Sequence, residues 1–390
     1  MFSYELKIAI GEWKNIVSQK KYLLLIFIFP LFSSLFFLTL MDNGLPQELP
    51  ISVVDLDKSI TSRKILRQLN NYKQTEIAFH AKDFNEGLKE MKKGNVYGIF
   101  CIPEGFEKNI YSFQSPQINF YINNTYLVAG SLLLRDIKSL NILSGISINL
   151  EMRKTKGEQE KNIIAELQPI TVIIHPLSNP LINYSVYLCS TILPGILSLF
   201  VMLTTIYTLG DDIKHNKYKK LLAQSGNNPK KLLLWKMFPY TISYFLVLTC
   251  INIILYKYLE FPCKNGIIPI IIGGLLLVLA SQAIAIFAFT ILPSTGTALS
   301  ITAILSILSF PMSGFTFPVT EFPPIFQAIS NLFPLRHYFL LYANNCLNEV
   351  PFHYGWKPFF YLISYQILTI ISCTRLSPKV SVSNNQQYHL

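Results

Sequence analysis

Asp55 and Asp57 close the run PISVVDLD (50–57), and their types and spacing come nearest to chemistry in this chain. Two carboxylates at a strand end can ligate a divalent cation or divide acid and base roles between them. They can equally cap the helix that follows or solvate the strand end. No second carboxylate or histidine cluster accompanies them, so capping is the stronger reading. The sequence has no GxxxxGK[ST] phosphate loop, Gly-rich dinucleotide fingerprint, HExxH helix or GxSxG elbow. Of the 6 cysteines, Cys189, Cys250 and Cys373 fall in apolar segments and Cys101 stands alone in a polar region. Cys263 and Cys346 lie in polar joins, where they could pair but read better as isolated thiols. The 6 histidines are scattered, without metal-ligand spacing. The expectation is a chain that is not itself an enzyme and binds no metal or cofactor directly.

The elements that would position any site are membrane spans. The chain is 51% hydrophobic and 14% charged, where soluble chains carry about a quarter of their residues as charges. Apolar runs cover Tyr22–Met41, Val186–Leu209, Leu232–Tyr256, Ile267–Leu292, Ala298–Pro318 and Phe359–Thr374. A helix crosses the bilayer core with about 20 apolar residues. Tyr22–Met41 follows Lys20 and Lys21 as a signal peptide would, but it is long for one and no small-x-small site follows, so it reads as a retained anchor. The expected fold is an α-helical polytopic membrane protein of six spans, with an α/β domain between the first and second. By residue, 1–20 is an amphipathic helix, 21–41 the first span, 42–184 the α/β domain, 185–374 the bundle of spans two to six, and 375–390 a tail.

The net charge of +11 follows this layout rather than a nucleic-acid surface. Six spans put both termini on one side. That side collects Lys7, Lys14, Lys20, Lys21, Lys214, Lys217, Lys219, Lys220, Lys230, Lys231, Lys236, Arg375 and Lys379 against Glu5, Glu12, Asp211 and Asp212. The positive-inside rule makes it the cytoplasm and places the α/β domain outside. Residues 1–20 carry Phe2, Leu6, Ile10, Trp13 and Val17 at helical spacing. They suit a helix lying in the membrane interface with its charges in water. Acids and bases are almost absent within the spans, which disfavours a proton or sodium relay. Pro194–Gly195 is expected to interrupt the second span. Gly273–Gly274 suits close packing, and Ser281, Gln282 and Ser300 can hydrogen-bond between helices.

The polar region alternates strand and helix signals. Strands are expected at 50–57, 75–81, 96–103 and 117–123, with a possible return of ITVIIHPL (170–177) to the sheet. A helix capped by Ser59 or Thr61 runs to Asn70. Asp83 with Glu86 forms a capping box for a helix to Lys93, closed by Gly94–Asn95. Pro103 opens a short helix through Phe113. A long helix covers Tyr126–Lys161, with Gly145 a candidate break.

Five motifs in order resemble the permease subunits of type-2 ABC exporters, in the subgroup with a large extracytoplasmic domain after the first span. They are the amphipathic helix with Glu12–Trp13, VVDLDKSITSRKILRQL (53–69), GNVYGIFCIPEGFEKNI (94–110), SNPLINYSVYLCSTILPG (178–195) and FPMSGFTFPVTEFPPIFQAISNLFPLRHY (310–338). The resemblance implies a dimer, of two copies or of paralogues, on cytoplasmic ABC ATPase subunits that bind ATP and Mg. Coupling would run through an elbow helix (1–20) and a cytoplasmic loop (210–231), with Glu12, Trp13, Asp211, Asp212 and Lys236 as coupling residues. The loop departs from the family pattern, with Lys217–Tyr218 where a Gly-Thr would stand. Pro194, Gly195, Ser313, Gly314, Pro318, Pro323 and Pro334 carry the permease motif and gate, with 315–345 an external re-entrant segment whose Glu321, Arg336 and His337 are candidates to line the exit. The function implied is export of an apolar or amphiphilic substrate (a drug, a lipid or similar) across a bacterial inner membrane, with a periplasmic adaptor and outer-membrane channel as optional partners. Alternatives are a non-transporting, energy-transducing complex acting on periplasmic partners, or a membrane-anchored scaffold or receptor.

Overall fold

A computed structural model describes residues 2–374, except 43, 113, 115, 155, 156, 158, 161, 162, 164–178, 180–182 and 293. In chain order the elements are α1 (Phe2–Ser18), α2 (Lys20–Leu40), β1 (Leu49–Asp55), α3 (Ile60–Asn70), β2 (Thr75–His80), α4 (Phe84–Lys93), β3 (Gly98–Ile102), α5 (Phe106–Tyr111), β4 (Asn119–Ile122) and α6 (Leu127–Lys154). They continue with α7 (Tyr184–Lys214), α8 (Lys217–Gln224), α9 (Pro229–Tyr258), α10 (Ile268–Ile291), α11 (Thr295–Ser313), α12 (Pro324–Ser330), α13 (Pro334–Tyr342, extended by a π turn Ala343–Leu347), α14 (Phe352–Gly355), α15 (Lys357–Ser364) and α16 (366–374). The chain divides into two compact units, Asn43–His175 and the remainder.

The smaller unit is built on a mixed sheet of strand order β2-β1-β3-β4 among the described residues. β1 runs parallel to β2 and β3, and β4 is antiparallel to β3. The central strands are apolar almost throughout because helices cover both faces. Ile51, Val53, Phe100 and Ile102 pack under α3 and α6 against Ile65, Leu69, Leu133 and Leu140. Val54 and Ile99 pack the other way against Leu88 and Met91 of α4. Ser59 caps α3 by accepting from the Ser62 amide at 3.0 Å. Asp83 likewise accepts from the Glu86 amide at 2.8 Å, but the expected capping box is incomplete. The Glu86 carboxylate reaches one residue further back, to the Lys82 amide at 2.7 Å. Gly94 ends α4 at φ 82°, in the left-handed region that favours glycine. Pro103 does not open α5; left-handed Gly105 does. Gly145 does not break α6, where the cost of a helical glycine, about 1 kcal/mol, is set against the packing of Leu140, Ile148 and Met152 on the core. The candidate strand 170–177 and the end of the long helix at Lys161 lie outside the described residues.

Asp55 and Asp57 take the capping role. Asp55 accepts from the amides of Asp57 and Lys58 and from the Ser62 hydroxyl at 2.8 Å. Asp57 accepts from the Glu107 amide at 3.1 Å, and Glu107 in turn accepts from the amide and hydroxyl of Thr61. The acids splice the first strand to α3 and α5. Among the described residues no group of three or more His, Cys, Asp or Glu side chains could hold a metal ion.

In the larger unit, five helices among the described residues are long and apolar enough to cross a membrane: α2, α7, α9, α10 and α11. The sixth expected span, Phe359–Thr374, is occupied by α15 and α16, two short pieces separated by a turn at Tyr365. α7 runs for 31 residues straight through Pro194, so the expected interruption of that span is not present. Gly195 instead serves contact: a Cβ there would lie 2.5 Å from the Phe310 ring of α11 and 3.0 Å from Leu335 of α13. Gly273 is likewise pressed against Leu341. Interhelical polar pairs are Ser198–Ser281 at 2.7 Å, Thr204–Tyr244 at 2.6 Å and Thr241–Gln282 at 2.8 Å. Ser300 is exposed and does not join them.

Candidate coupling site

Lys236 is 1% exposed, although it carries a charge. It enters the apolar run LLLWKMF two turns into α9, and the helix turns it inward with Leu232, Leu233, Met237 and Tyr240. Burying an ammonium ion costs several kcal/mol unless it is paired and hydrogen-bonded. Lys236 is held on two sides: its Nζ donates to Glu12 Oε1 at 2.6 Å and lies 2.7 Å from Asp212 Oδ2. Both acids are themselves 5% exposed. Tyr240, one turn further along α9, donates to the second Glu12 oxygen at 2.9 Å, and Asn15 donates to it at 3.3 Å. Thr208 of α7 stands 3.2 Å from the Tyr240 hydroxyl.

Glu12 was expected to point to water. It lies instead on the packed stripe of α1, with Ile8 and Ile16 one turn to either side and all three buried. Leu6, Ile10 and Val17, part of the stripe expected to lie in the membrane interface, are 51%, 57% and 67% exposed within the chain. The helix is therefore apolar on two faces. One docks on the bundle with Glu12 buried in it and Glu5 at its edge; the other is exposed within the chain.

Asp211 is separated from this cluster although it adjoins Asp212. Helical geometry sends consecutive residues about 100° apart, and Asp211 reaches the rim. There it lies 3.7 Å from Lys21, 3.5 Å from His215 and 4.0 Å from Lys217. Lys21 also donates to the Tyr207 hydroxyl and lies 4.4 Å from the centre of that ring. Lys231 pairs with Glu5 of α1 at 2.9 Å. Trp13 is half-buried and takes no part in the ion cluster.

α8 stands between the two flanks of the cluster. Left-handed Asn216 opens it at φ 54°. Tyr218, one of the two residues that replace the expected Gly-Thr, is 3% exposed and packs with Ile8, Leu209, Leu232 and Cys373. Its hydroxyl has no hydrogen-bond partner among the described residues, and burial pushes its pKa up to about 12. α8 is thus keyed into the bundle by an aromatic ring, where a Gly-Thr would offer almost no side chain.

The residues expected to form the gate assemble at another place in the same unit. Ser313 is buried and donates to the Phe310 carbonyl at 2.7 Å. Gly314 ends α11 at φ 91°, and a Cβ there would lie 2.9 Å from Val319. Pro318 precedes a single 3-10 turn, Pro323 caps α12 and Pro334 begins α13, each where a missing N–H loses no helical bond. Pro194 and Gly195 sit behind this segment on α7, and the Tyr187 hydroxyl donates to the Phe315 carbonyl. The three candidate exit residues separate. Glu321 is exposed, and Arg336 donates to the Asn331 side chain at 3.1 Å. His337 is 1% exposed, stacked on Tyr361 at 4.6 Å between centroids. His337 is a packing residue rather than a lining one.

Sequence reasoning named Glu12, Asp212 and Lys236 but missed Tyr240 as their donor and Lys21–Tyr207 as the rim pair. The available signal was the four-residue spacing Ile8–Glu12–Ile16, matched by Leu232–Lys236–Tyr240.

Long apolar helices, a polar-stitched interior and an α/β unit inserted after the first of them define a multi-pass helical membrane protein. The chain belongs to the ABC-2 family of transporter proteins, whose family model matches residues 20–372. It is accordingly an ABC transporter membrane subunit, and the family implies an ABC ATPase partner in general terms. No curated protein and no solved structure matches the chain.

Proposed function

We propose that this chain is the permease subunit of an ATP-driven exporter, moving an apolar or amphiphilic substrate out of the cytoplasm or inner leaflet. Two permeases, identical or paralogous, work on cytoplasmic ATPase subunits that bind ATP and Mg. The observation that carries this reading is the buried Glu12–Lys236–Asp212 cluster. It joins α1 to the end of α7 and the start of α9, the two helices that flank α8. A force applied to α8 by a closing ATPase reaches three elements through one ionic joint, as a rigid-body transmission requires.

The orientation that goes with this function puts both termini and α8 in the cytoplasm of a bacterial inner membrane and the α/β unit outside. The basic residues around α8 support it. α15 and α16 together make the sixth crossing. Pro194, Gly195, Ser313, Gly314, Pro318, Pro323 and Pro334 shape the outer gate.

The test is co-expression with candidate ABC ATPases, purification, and measurement of ATP hydrolysis with and without apolar substrates. Co-purification and a substrate-stimulated rate that falls in Asp212→Asn are expected. Failure of every ATPase to co-purify would remove the exporter reading.

A further inference from the structure

Cys263 and Cys346 are not isolated thiols. Their sulfurs lie 3.2 Å apart, although the residues are 83 positions apart in sequence. Cys263 sits in the join between α9 and α10, and Cys346 in the π turn that ends α13. The two segments are laced beside the pair by the two residues that follow Cys263. The Lys264 amide donates to the Cys346 carbonyl at 3.4 Å and the Asn265 amide to the Asn345 carbonyl at 3.1 Å. The Asn265 side chain donates to the Val350 carbonyl at 3.1 Å, and Lys264 pairs with Glu349 at 2.8 Å. Backbone and side-chain bonds thus hold both stretches together without help from the sulfurs.

We propose that Cys263 and Cys346 form a disulfide, made by thiol–disulfide exchange with a disulfide-bearing oxidant, that staples the α9–α10 join to the turn after α13. The sulfurs need to close from contact distance to the bonded separation of about 2.05 Å, a change within reach of side-chain rotation. The order of attack follows from exposure. Cys263 is half-exposed and Cys346 is fully buried. The Cys346 thiol donates toward the Cys263 sulfur, which lowers the Cys263 pKa and favours its thiolate. With oxidised glutathione as oxidant, the Cys263 thiolate attacks one glutathione sulfur, breaking that S–S bond and releasing one glutathione thiolate. The Cys346 thiolate then attacks the Cys263 sulfur of the mixed disulfide and expels the second glutathione. Two cysteine thiols are oxidised, one glutathione disulfide is reduced to two thiols, and two protons leave the cysteines. Cys189, the other cysteine with a sulfur neighbour among the described residues, faces Met41, which cannot make this bond.

The pairing needs no assumption about transport; only the compartment of the oxidant rests on the outward placement proposed above. The experiment incubates the full-length protein in detergent with oxidised glutathione, blocks free thiols with N-ethylmaleimide, digests, and maps peptides by mass spectrometry. The expected product is one peptide pair linking Cys263 to Cys346, lost on reduction. Cys346→Ser should stop at a stable glutathione adduct on Cys263, and Cys263→Ser should leave Cys346 unmodified. Oxidation should raise the apparent Tm by roughly 5–10 °C in the native chain and not in either variant. Recovery of both cysteines as separate maleimide or glutathione adducts would overturn the proposal. Repeating the treatment on intact spheroplasts, which exclude glutathione, separates the two ideas. A link that forms in detergent but not in spheroplasts supports the disulfide and removes the outward placement.

Discussion

Replacing Lys236 with Met keeps most of the side-chain volume in α9 and removes the one cation between two buried acids. Nζ makes contacts of 2.6 and 2.7 Å to Glu12 and Asp212, each 5% exposed, so neither carboxylate can turn to water without moving its helix. Breaking a buried pair from one side costs about 3–5 kcal/mol, because a charge is left uncompensated. Here two are left. The remaining Tyr240 bond to Glu12 limits the loss, which keeps the expected value in that range. At about 2–4 °C per kcal/mol for a unit of this size, the apparent Tm in detergent should fall by roughly 10 °C. The assay is thermal unfolding followed by intrinsic fluorescence, with Lys236→Met, Glu12→Gln, Asp212→Asn and the triple variant compared. The triple variant removes every charge and should recover at least half of the loss, since replacing all partners by neutral groups is far less harmful than orphaning some. A Lys236→Met protein within about 1 °C of the native Tm, or a triple variant worse than the single one, would refute the claim that these charges are buried and mutually compensating.

Asp211→Ala should change stability by less than about 1 kcal/mol because its partners are at the rim, whereas Asp212→Ala should cost about 3 kcal/mol or more; chemical unfolding of the two variants checks the split. Tyr218→Phe should leave stability unchanged or slightly raised, since the lost hydroxyl has no partner among the described residues, while Tyr218→Ala should cost about 2–4 kcal/mol and lower any ATPase coupling. Gly195→Ala should destabilise by about 1–3 kcal/mol through overlap with Phe310, and Phe310→Leu should restore part of it in the double variant. In the α/β unit, burial raises the pKa of Asp136 against the hydrogen bond from Thr75 at 2.9 Å and the nearby Arg135. A carboxyl raised in the folded state loses stability as pH climbs from its unfolded value through its folded one. Asp136→Asn should therefore stabilise more near pH 7.5 than near pH 4, measured by limited proteolysis of this unit in the full-length chain.

Much of the α/β unit was legible because its signals are local. Ser59, Asp83 and Gly94 act within one helical turn of their own positions, and the apolar runs of β1 and β3 need only a sheet covered on both faces. The misread elements depend on distant partners. Pro194 looks like a break because a proline removes one helical hydrogen bond, but packing around α7 outweighs that loss. Glu12 looks like a solvated charge until Lys236 is known to face it. Cys263 and Cys346 look unrelated because nothing in their neighbouring residues encodes the meeting of the two joins. The family resemblance supplied the names Asp212 and Lys236; the geometry separates them from Asp211, which adjacency in sequence could not do.

The ionic joint also bears on how the protein is made. Glu12 and Lys236 are 224 positions apart, so the acid leaves the ribosome long before its partner exists. At about 5–20 residues per second the interval is on the order of 10–45 s. Throughout it α1 carries an unpaired carboxylate that forbids its final seat, because burial without the lysine would cost several kcal/mol. α1 cannot take its final seat until α9 has been made, so its docking follows the folding of the segment that carries Lys236. A chain truncated before Lys236 would leave α1 undocked, with Glu12 lacking its cation.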